Sequence, residues 1–222
     1  MSPEPTRPRP HAASRPPRRP GSEIGGGRDE IQEAYLNRAI AEISELQDEI
    51  GACPGCRTAG VMPVLASGSP QAEIVLVKPA ASLAERQEGV AFFGRAGSAV
   101  LKSVQRLGIE PLTLYGTLAV KCTHPDYDQA AQLRWLAAEV RILDPKIVLP
   151  MGEPALEALN RLGLPMAAPL EPRPGELQRW TPASEALLVP DIDESLDEQA
   201  AKRAFWDAFR ALGEWHQAQA PF

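Results

Sequence analysis

The alternation of short apolar runs with longer amphipathic segments restricts the fold of this chain more than any other feature. The run Glu73–Val77 is brief, rich in β-branched residues and bounded by polar turns, as is typical of a buried strand. The predicted strands are residues 73–77, 114–121, 146–150 and 187–189, with one more near Leu177. The predicted helices are residues 29–50, 96–107, 133–143, 154–162 and 196–215. This order favours an α/β fold, a three-layer α/β/α sandwich around a mostly parallel sheet.

The expected position of a functional site follows from that topology. In open parallel sheets, ligands bind beyond the carboxyl ends of the strands. The loops that follow Val77, Lys121, Pro150 and Pro190 are therefore the predicted site, and residues 78–94 are predicted to be a loop.

The first 28 residues differ in composition from the rest of the chain. They hold six arginines against Glu4 and Glu23, and seven of the chain's 23 prolines fall in the first 20 positions. We predict a disordered Pro/Arg/Gly-rich tail over residues 1–28 and a single domain over residues 29–222. The tail has a net charge of +4 and the whole chain has −6, so the rest of the chain has −10. Such an acidic body is poorly suited to bind a phosphate backbone, although the tail would attract DNA or hold partner proteins.

Cysteine usage and hydropathy indicate the compartment. No apolar run approaches the roughly 20 residues of a membrane span, and the N-terminus lacks the apolar core of a secretory signal. We therefore expect a cytoplasmic protein that has no membrane contact. Three cysteines in a reducing compartment favour a metal or cluster over disulfides.

Several motifs together resemble a known family. They are Cys53-x-x-Cys56, the strand 74–77, Phe92-Phe93-Gly94-Arg95-Ala96-Gly97, Val120-Lys121-Cys122, and Asp144-Pro145-Lys146 with its following strand. In order and spacing, over residues 50 to about 215, they resemble the family 4 uracil-DNA glycosylases. The resemblance implies the three-layer fold, an iron-sulfur cluster, and hydrolysis of the glycosidic bond of a uracil flipped out of DNA.

One motif of that family is intact. Phe92 falls on the phenylalanine that stacks on the flipped uracil, and the turn that opens the next helix is kept at Gly94, Arg95, Ala96 and Gly97. The alternative is that Phe92 is a core residue beside a helix N-terminus.

The family's first motif, Gly-Glu-Ala-Pro-Gly, falls on residues 78–82 and is replaced. Lys78 stands in place of its first glycine, and Pro79 in place of its glutamate. We expect Lys78 to be an exposed lysine after a strand; alternatively it contacts a phosphate, as Lys121 and Arg95 would by their positions.

Two further motif positions have changed. Leu118 replaces the asparagine that reads the uracil edge, so base recognition is lost unless Thr117 substitutes for it. The His-Pro-Ser motif falls on Asp191-Ile192-Asp193, where carboxylates disfavour a developing anion. Alternatively, Asp191 and Asp193 form a solvated acidic cap at the start of the final helix.

The implied cluster ligands are incomplete. Cys53, Cys56 and Cys122 fall on three of them, and Gln132 falls on the fourth. Three alternatives remain: a cluster on three thiolates, with a labile iron or His124 as its fourth ligand; zinc held by the three cysteines and His124; or no metal.

These observations together lead to two hypotheses of function. The leading one is a divergent member of the uracil-DNA glycosylase superfamily whose activity is weak, altered or lost. The second is a non-catalytic interaction or nucleic-acid-associated protein on the same fold. A third possibility is an enzyme that acts on another substrate through Asp191 or Asp193.

Overall fold

The computed structural model describes residues 26–219, and the predicted tail lies almost wholly outside this range. The helices are α1 Gly26–Gly51, α2 Pro54–Thr58, α3 Leu83–Glu88, α4 Arg95–Arg106, α5 Gln129–Leu143, α6 Glu153–Asn160, α7 Ile192–Ser195 and α8 Gln199–Ala218. The strands are β1 Ser67–Gly68, β2 Ile74–Lys78, β3 Leu114–Leu118, β4 Ile147–Pro150, β5 Leu177–Arg179 and β6 Glu185–Leu187.

The six strands form one sheet in the order β1-β3-β2-β4-β6-β5. The four inner strands pair in parallel, and the short edge strands β1 and β5 pair antiparallel. The predicted α/β fold around a mostly parallel sheet is confirmed.

Successive residues of β2 supply two separate cores, because side chains alternate between the two faces of a sheet. Val75 and Val77 pack into a core with apolar residues of α1, α5 and α6. Ile74 and Leu76 pack into a second core with residues of α4 and α8. Helices therefore cover both faces, which gives the three layers.

Several predicted element boundaries are wrong, including the strand 114–121, which ends at Leu118. The predicted loop 78–94 contains α3, which begins at a Ser82–Glu85 capping box. The predicted helix 196–215 corresponds to α8, which begins at Gln199 and ends at Ala218, and the short helix α7 precedes it. The last predicted strand lies at Glu185–Leu187 rather than 187–189, although Val189 still bridges to Met151.

Helix α1 packs against the body only in its second half. Ile43, Leu46 and Ile50 are buried, whereas Ile31 and Tyr35 are exposed although they continue the same apolar periodicity. The helix extends past the core there, so periodicity alone overestimates the buried length. Within residues 26–219, no helix combines the length and the apolar character needed to cross a bilayer.

Candidate base pocket and metal centre

The candidate base pocket lies where the inner parallel strands end. Lys78 and Leu118 are the last residues of β2 and β3 and are partners in register, and Pro150 ends β4 beside Val77. The parallel arrangement thus brings the ends of three strands to one edge of the sheet, as the sequence predicted.

Residues 92–97, which lead into α4 and form its first turn, are sterically constrained. Phe92 adopts a φ of 60°, which is unusual for a bulky residue. Its backbone N–H donates to Glu85 Oε1 at 2.5 Å. A Cβ on Gly97 would overlap the Phe92 carbonyl oxygen, and a Cβ on Gly116 would overlap the Phe92 ring. Glycine is needed at both positions because the Phe92 backbone and ring occupy this space.

Lys78 is completely buried, and its ammonium group lies between two carboxylates. Its Nζ is 2.7 Å from Glu85 Oε2 and 2.5 Å from Asp193 Oδ2. The same nitrogen lies over the Phe92 ring, 5.6 Å from the ring centroid. The expectation of an exposed or phosphate-binding Lys78 is therefore wrong. The two carboxylates keep the ammonium inside by compensating its charge where water is excluded.

Glu85 is the residue that organises this pocket, and sequence reasoning missed it. It is fully buried, and its Oε2 accepts hydrogen bonds from the backbone N–H and the hydroxyl of Ser82, at 2.7 and 2.8 Å, as well as from Lys78. The pattern Ser82-x-x-Glu85 is a readable helix-start signature and would have located α3. We call Lys78, Glu85 and Asp193 the buried ion-pair cluster.

The two aspartates that fall on the His-Pro-Ser motif in the family resemblance, Asp191 and Asp193, have different roles. Asp191 caps α7 by accepting a hydrogen bond from the Asp193 N–H at 2.8 Å. The acidic cap therefore lies on this short helix and not at the start of the final helix, where the alternative expected it. Burial raises the pKa of Asp191, and the charge of Asp193 acts in the same direction. Asp193 instead turns its carboxylate to Lys78, with its side chain 35% exposed.

The outer charges of the site are already paired. Arg95 is exposed at the start of α4, and its guanidinium lies 2.6 Å from Asp197, just before α8. Glu194 and Glu198 are also exposed on this segment. The mouth of the pocket therefore carries carboxylates beside its arginine.

The side chains at the end of β3 and just after it turn inward. Thr117 donates a hydrogen bond to Glu139 at 2.8 Å, and Lys121 Nζ lies 2.9 Å from the same carboxylate. Lys121 is fully buried, so the expectation that it contacts a phosphate is wrong. Leu118, also fully buried, packs in an apolar cluster that includes Phe92. Because Thr117 is engaged by Glu139, it is not free to replace the missing asparagine.

A second group of candidate ligands lies apart from this pocket. Cys53 and Cys56 flank the start of α2, and Cys122 and His124 follow β3; their ligand atoms all lie within 4.8 Å of one another. We call these four residues the Cys₃His cluster. The three cysteines are free thiols, and the cluster could hold a metal ion.

Gln132, at the position of the fourth cysteine, is not a replacement ligand. Its Oε1 accepts hydrogen bonds from the backbone N–H groups of Lys121 and Cys122, and its Nε2 lies 3.1 Å from the Cys122 sulfur. An amide that donates to the sulfur supports Cys122 rather than binding iron. The residues present do not supply four cysteine thiolates for a cluster.

The comparison with known protein families agrees with the fold. The family model of the Uracil DNA glycosylase superfamily matches residues 65–210. The match includes all six strands, the turn before α4 and the buried ion-pair cluster, and it begins after Cys53 and Cys56. Because it covers more than half of the chain, this protein belongs to the uracil DNA glycosylase superfamily.

Proposed function

We propose that this protein is a divergent, family 4-like member of the superfamily that has lost efficient excision of uracil from DNA. The observation that carries the proposal is the position of Lys78 in the buried ion-pair cluster, where its ammonium lies 5.6 Å from the centroid of the Phe92 ring on which a flipped base would stack.

The position of Lys78 over the Phe92 ring is incompatible with a base stacked there. Stacked aromatic rings have centroids about 4.5–7 Å apart, and the Lys78 ammonium lies over the Phe92 ring at 5.6 Å. A base would have to displace this lysine. Removing one partner of a buried ion pair costs about 3–5 kcal/mol, since the other charge is left uncompensated. A free-energy difference of about 1.4 kcal/mol changes an equilibrium constant tenfold. The state with Lys78 displaced would therefore be about a hundredfold or more less populated than the state with Lys78 in place.

The remaining groups of the pocket also disfavour the chemistry. Glycosidic cleavage leaves negative charge on the departing uracil, and a glycosylase stabilises this charge with preorganised donors. Asp191 and Asp193 place carboxylates on α7 where the family carries a histidine motif. Leu118 has no polar side-chain atom that could read the edge of the base.

A single-turnover assay tests the proposal. Excess protein, purified anaerobically, is mixed with a single-stranded oligonucleotide that carries one uracil, and abasic sites are cleaved with alkali. We expect no strand scission above a Phe92→Ala control, while an active uracil-DNA glycosylase cleaves the same substrate. Scission by the wild-type chain that disappears in Phe92→Ala would overturn the proposal.

The acidic mouth of the pocket favours a second candidate, a non-catalytic interaction protein. Asp197 already pairs with Arg95, and Glu194 and Glu198 would repel a phosphate backbone. Nucleic acid or a partner protein would then be held through residues 1–28, which lie almost wholly outside the described residues. The deletion experiment in the Discussion tests the nucleic-acid form of this candidate.

A further inference from the structure

We propose that the Cys₃His cluster binds a single zinc ion in place of the iron-sulfur cluster implied by the family 4 resemblance. The inference does not depend on the proposed loss of uracil excision, since it concerns a different part of the molecule. It is carried by the separation of the ligand atoms and by an unpartnered buried imidazole nitrogen.

The ligand atoms are close enough to reach one ion. Two sulfurs bound tetrahedrally to zinc at about 2.3 Å each are separated by about 3.8 Å. The sulfurs of Cys53 and Cys122 are 3.6 Å apart, and no pair among the four ligand atoms exceeds 4.8 Å. In a four-iron cluster each thiolate binds a different iron, so the sulfurs must be spread around the inorganic core. The observed spacing therefore favours one ion.

His124 supplies the fourth ligand that Gln132 does not. The residue is only 9% exposed, and its Nε2 has no hydrogen-bond partner among the described residues. Leaving such a polar atom buried is unfavourable unless something binds it. A Cβ at Gly55 would lie 2.8 Å from this Nε2, so the glycine between the two cysteines of the motif makes room for the imidazole.

Gln132 completes the surroundings of the site. It is 1% exposed, and both ends of its amide are engaged, the oxygen with the backbone after β3 and the nitrogen with the Cys122 sulfur. Such a hydrogen bond orients a ligand from outside the coordination sphere. Replacing the fourth cysteine by this amide removes a cluster ligand and leaves the three thiolates and His124 intact.

The donor set fits zinc and a structural role. Three thiolates and an imidazole make a closed tetrahedral site of the kind that zinc occupies in structural centres. Cys53, Cys122 and His124 line a cavity of about 520 Å³, which gives the ion a path of entry. The ion would join the end of α1 and the start of α2 to the loop after β3, segments some 70 residues apart.

Metal analysis of the purified full chain tests the inference. Zinc, iron and acid-labile sulfide are quantified per chain, and the zinc is then exchanged for Co²⁺ to record its visible spectrum. We expect about one zinc per chain, no sulfide, and the intense tetrahedral cobalt bands of thiolate ligation. Stoichiometric iron with sulfide overturns the inference, and so does a protein that takes up neither zinc nor cobalt.

Three variants identify the ligands. Loss of a group that only orients a ligand typically weakens metal binding about 10–100-fold, so Gln132→Ala should fall in that range and keep the tetrahedral cobalt bands. His124→Ala should weaken binding by more than about 100-fold and alter those bands. His216→Ala, on α8 and outside the cluster, is the matched control. A His124→Ala protein with the affinity and cobalt spectrum of the His216→Ala control would contradict the assignment.

Discussion

Lys78 lies at the end of β2 with its ammonium between Glu85 and Asp193 and with no exposure to solvent. Glu85 is equally buried, and it also receives the N–H groups of Ser82 and Phe92. A buried pair of this kind contributes little net stability, because desolvation offsets the attraction between the charges. Loss of one partner is costly, however, because the remaining charge cannot recover its water.

For this single residue, we predict the effect of removing the charge of Lys78. Lys78→Met should lower the free energy of unfolding by about 3–5 kcal/mol, because Glu85 is left buried without its cation. The double variant Lys78→Met/Glu85→Gln should recover part of this loss. Urea unfolding at pH 7 of the wild type, Lys78→Met, Glu85→Gln and the double variant measures the coupling as a double-mutant cycle.

The control for this prediction is Lys146→Met, since the ion pair of Lys146 with Glu73 is about half exposed. Exposed pairs are worth about 0–1 kcal/mol, so this change should be small. If Lys78→Met and Lys146→Met cost the same, the buried ion-pair cluster does not close the pocket as we propose.

The turn that leads into α4 is held by close backbone contacts. The backbone of Phe92 and the first turn of α4 approach so closely that Gly97 has no room for a side chain. Gly94 precedes the helix with a φ of 82°, which glycine adopts without strain. These constraints are structural, so they act on the turn whether or not the protein excises a base.

At the scale of this element we predict that Gly97→Ala destabilises the fold. A Cβ there overlaps the Phe92 carbonyl, so the turn or α4 must shift, at a cost of about 1–3 kcal/mol as in other overpacked sites. Gly51→Ala at the end of α1 meets open space and should leave stability unchanged or raise it by up to about 1 kcal/mol. Urea unfolding compares the two, and equal effects would show that the turn is adaptable.

The whole chain has a strongly uneven charge distribution. Residues 1–28 carry +4 and the remainder −10. Beside the candidate base pocket, Arg95 is already paired with Asp197. The disordered tail and the domain boundary at residue 29 stay predictions, because the structure describes the chain only from residue 26. Affinity for nucleic acid would therefore depend on the tail.

At the scale of the molecule we predict that deletion of residues 1–28 abolishes binding to single-stranded DNA. Each neutralised phosphate of a single strand contributes about −0.7 to the slope of log K against log salt, so six arginines limit the slope to about −4. Fluorescence anisotropy at several salt concentrations measures this slope for the full chain and for the deletion variant. Unchanged unfolding of the deletion variant would confirm that the body is intact, and binding that survives the deletion would identify the body as the DNA reader.

The sequence by itself determined the alternation of the main strands and helices, the turn at Phe92, and the resemblance to the superfamily, although it missed short elements such as α3 and α7. These follow from periodicity and spacing, which depend on residues near one another in the chain. Only the tertiary structure decided that Lys78 points inward, that Asp193 reaches it from 115 positions away, and that His124 meets the cysteines with its nitrogen unpartnered. A lysine or histidine has the same letter whether it is solvated or buried, and the difference in free energy comes from partners that only folding brings together.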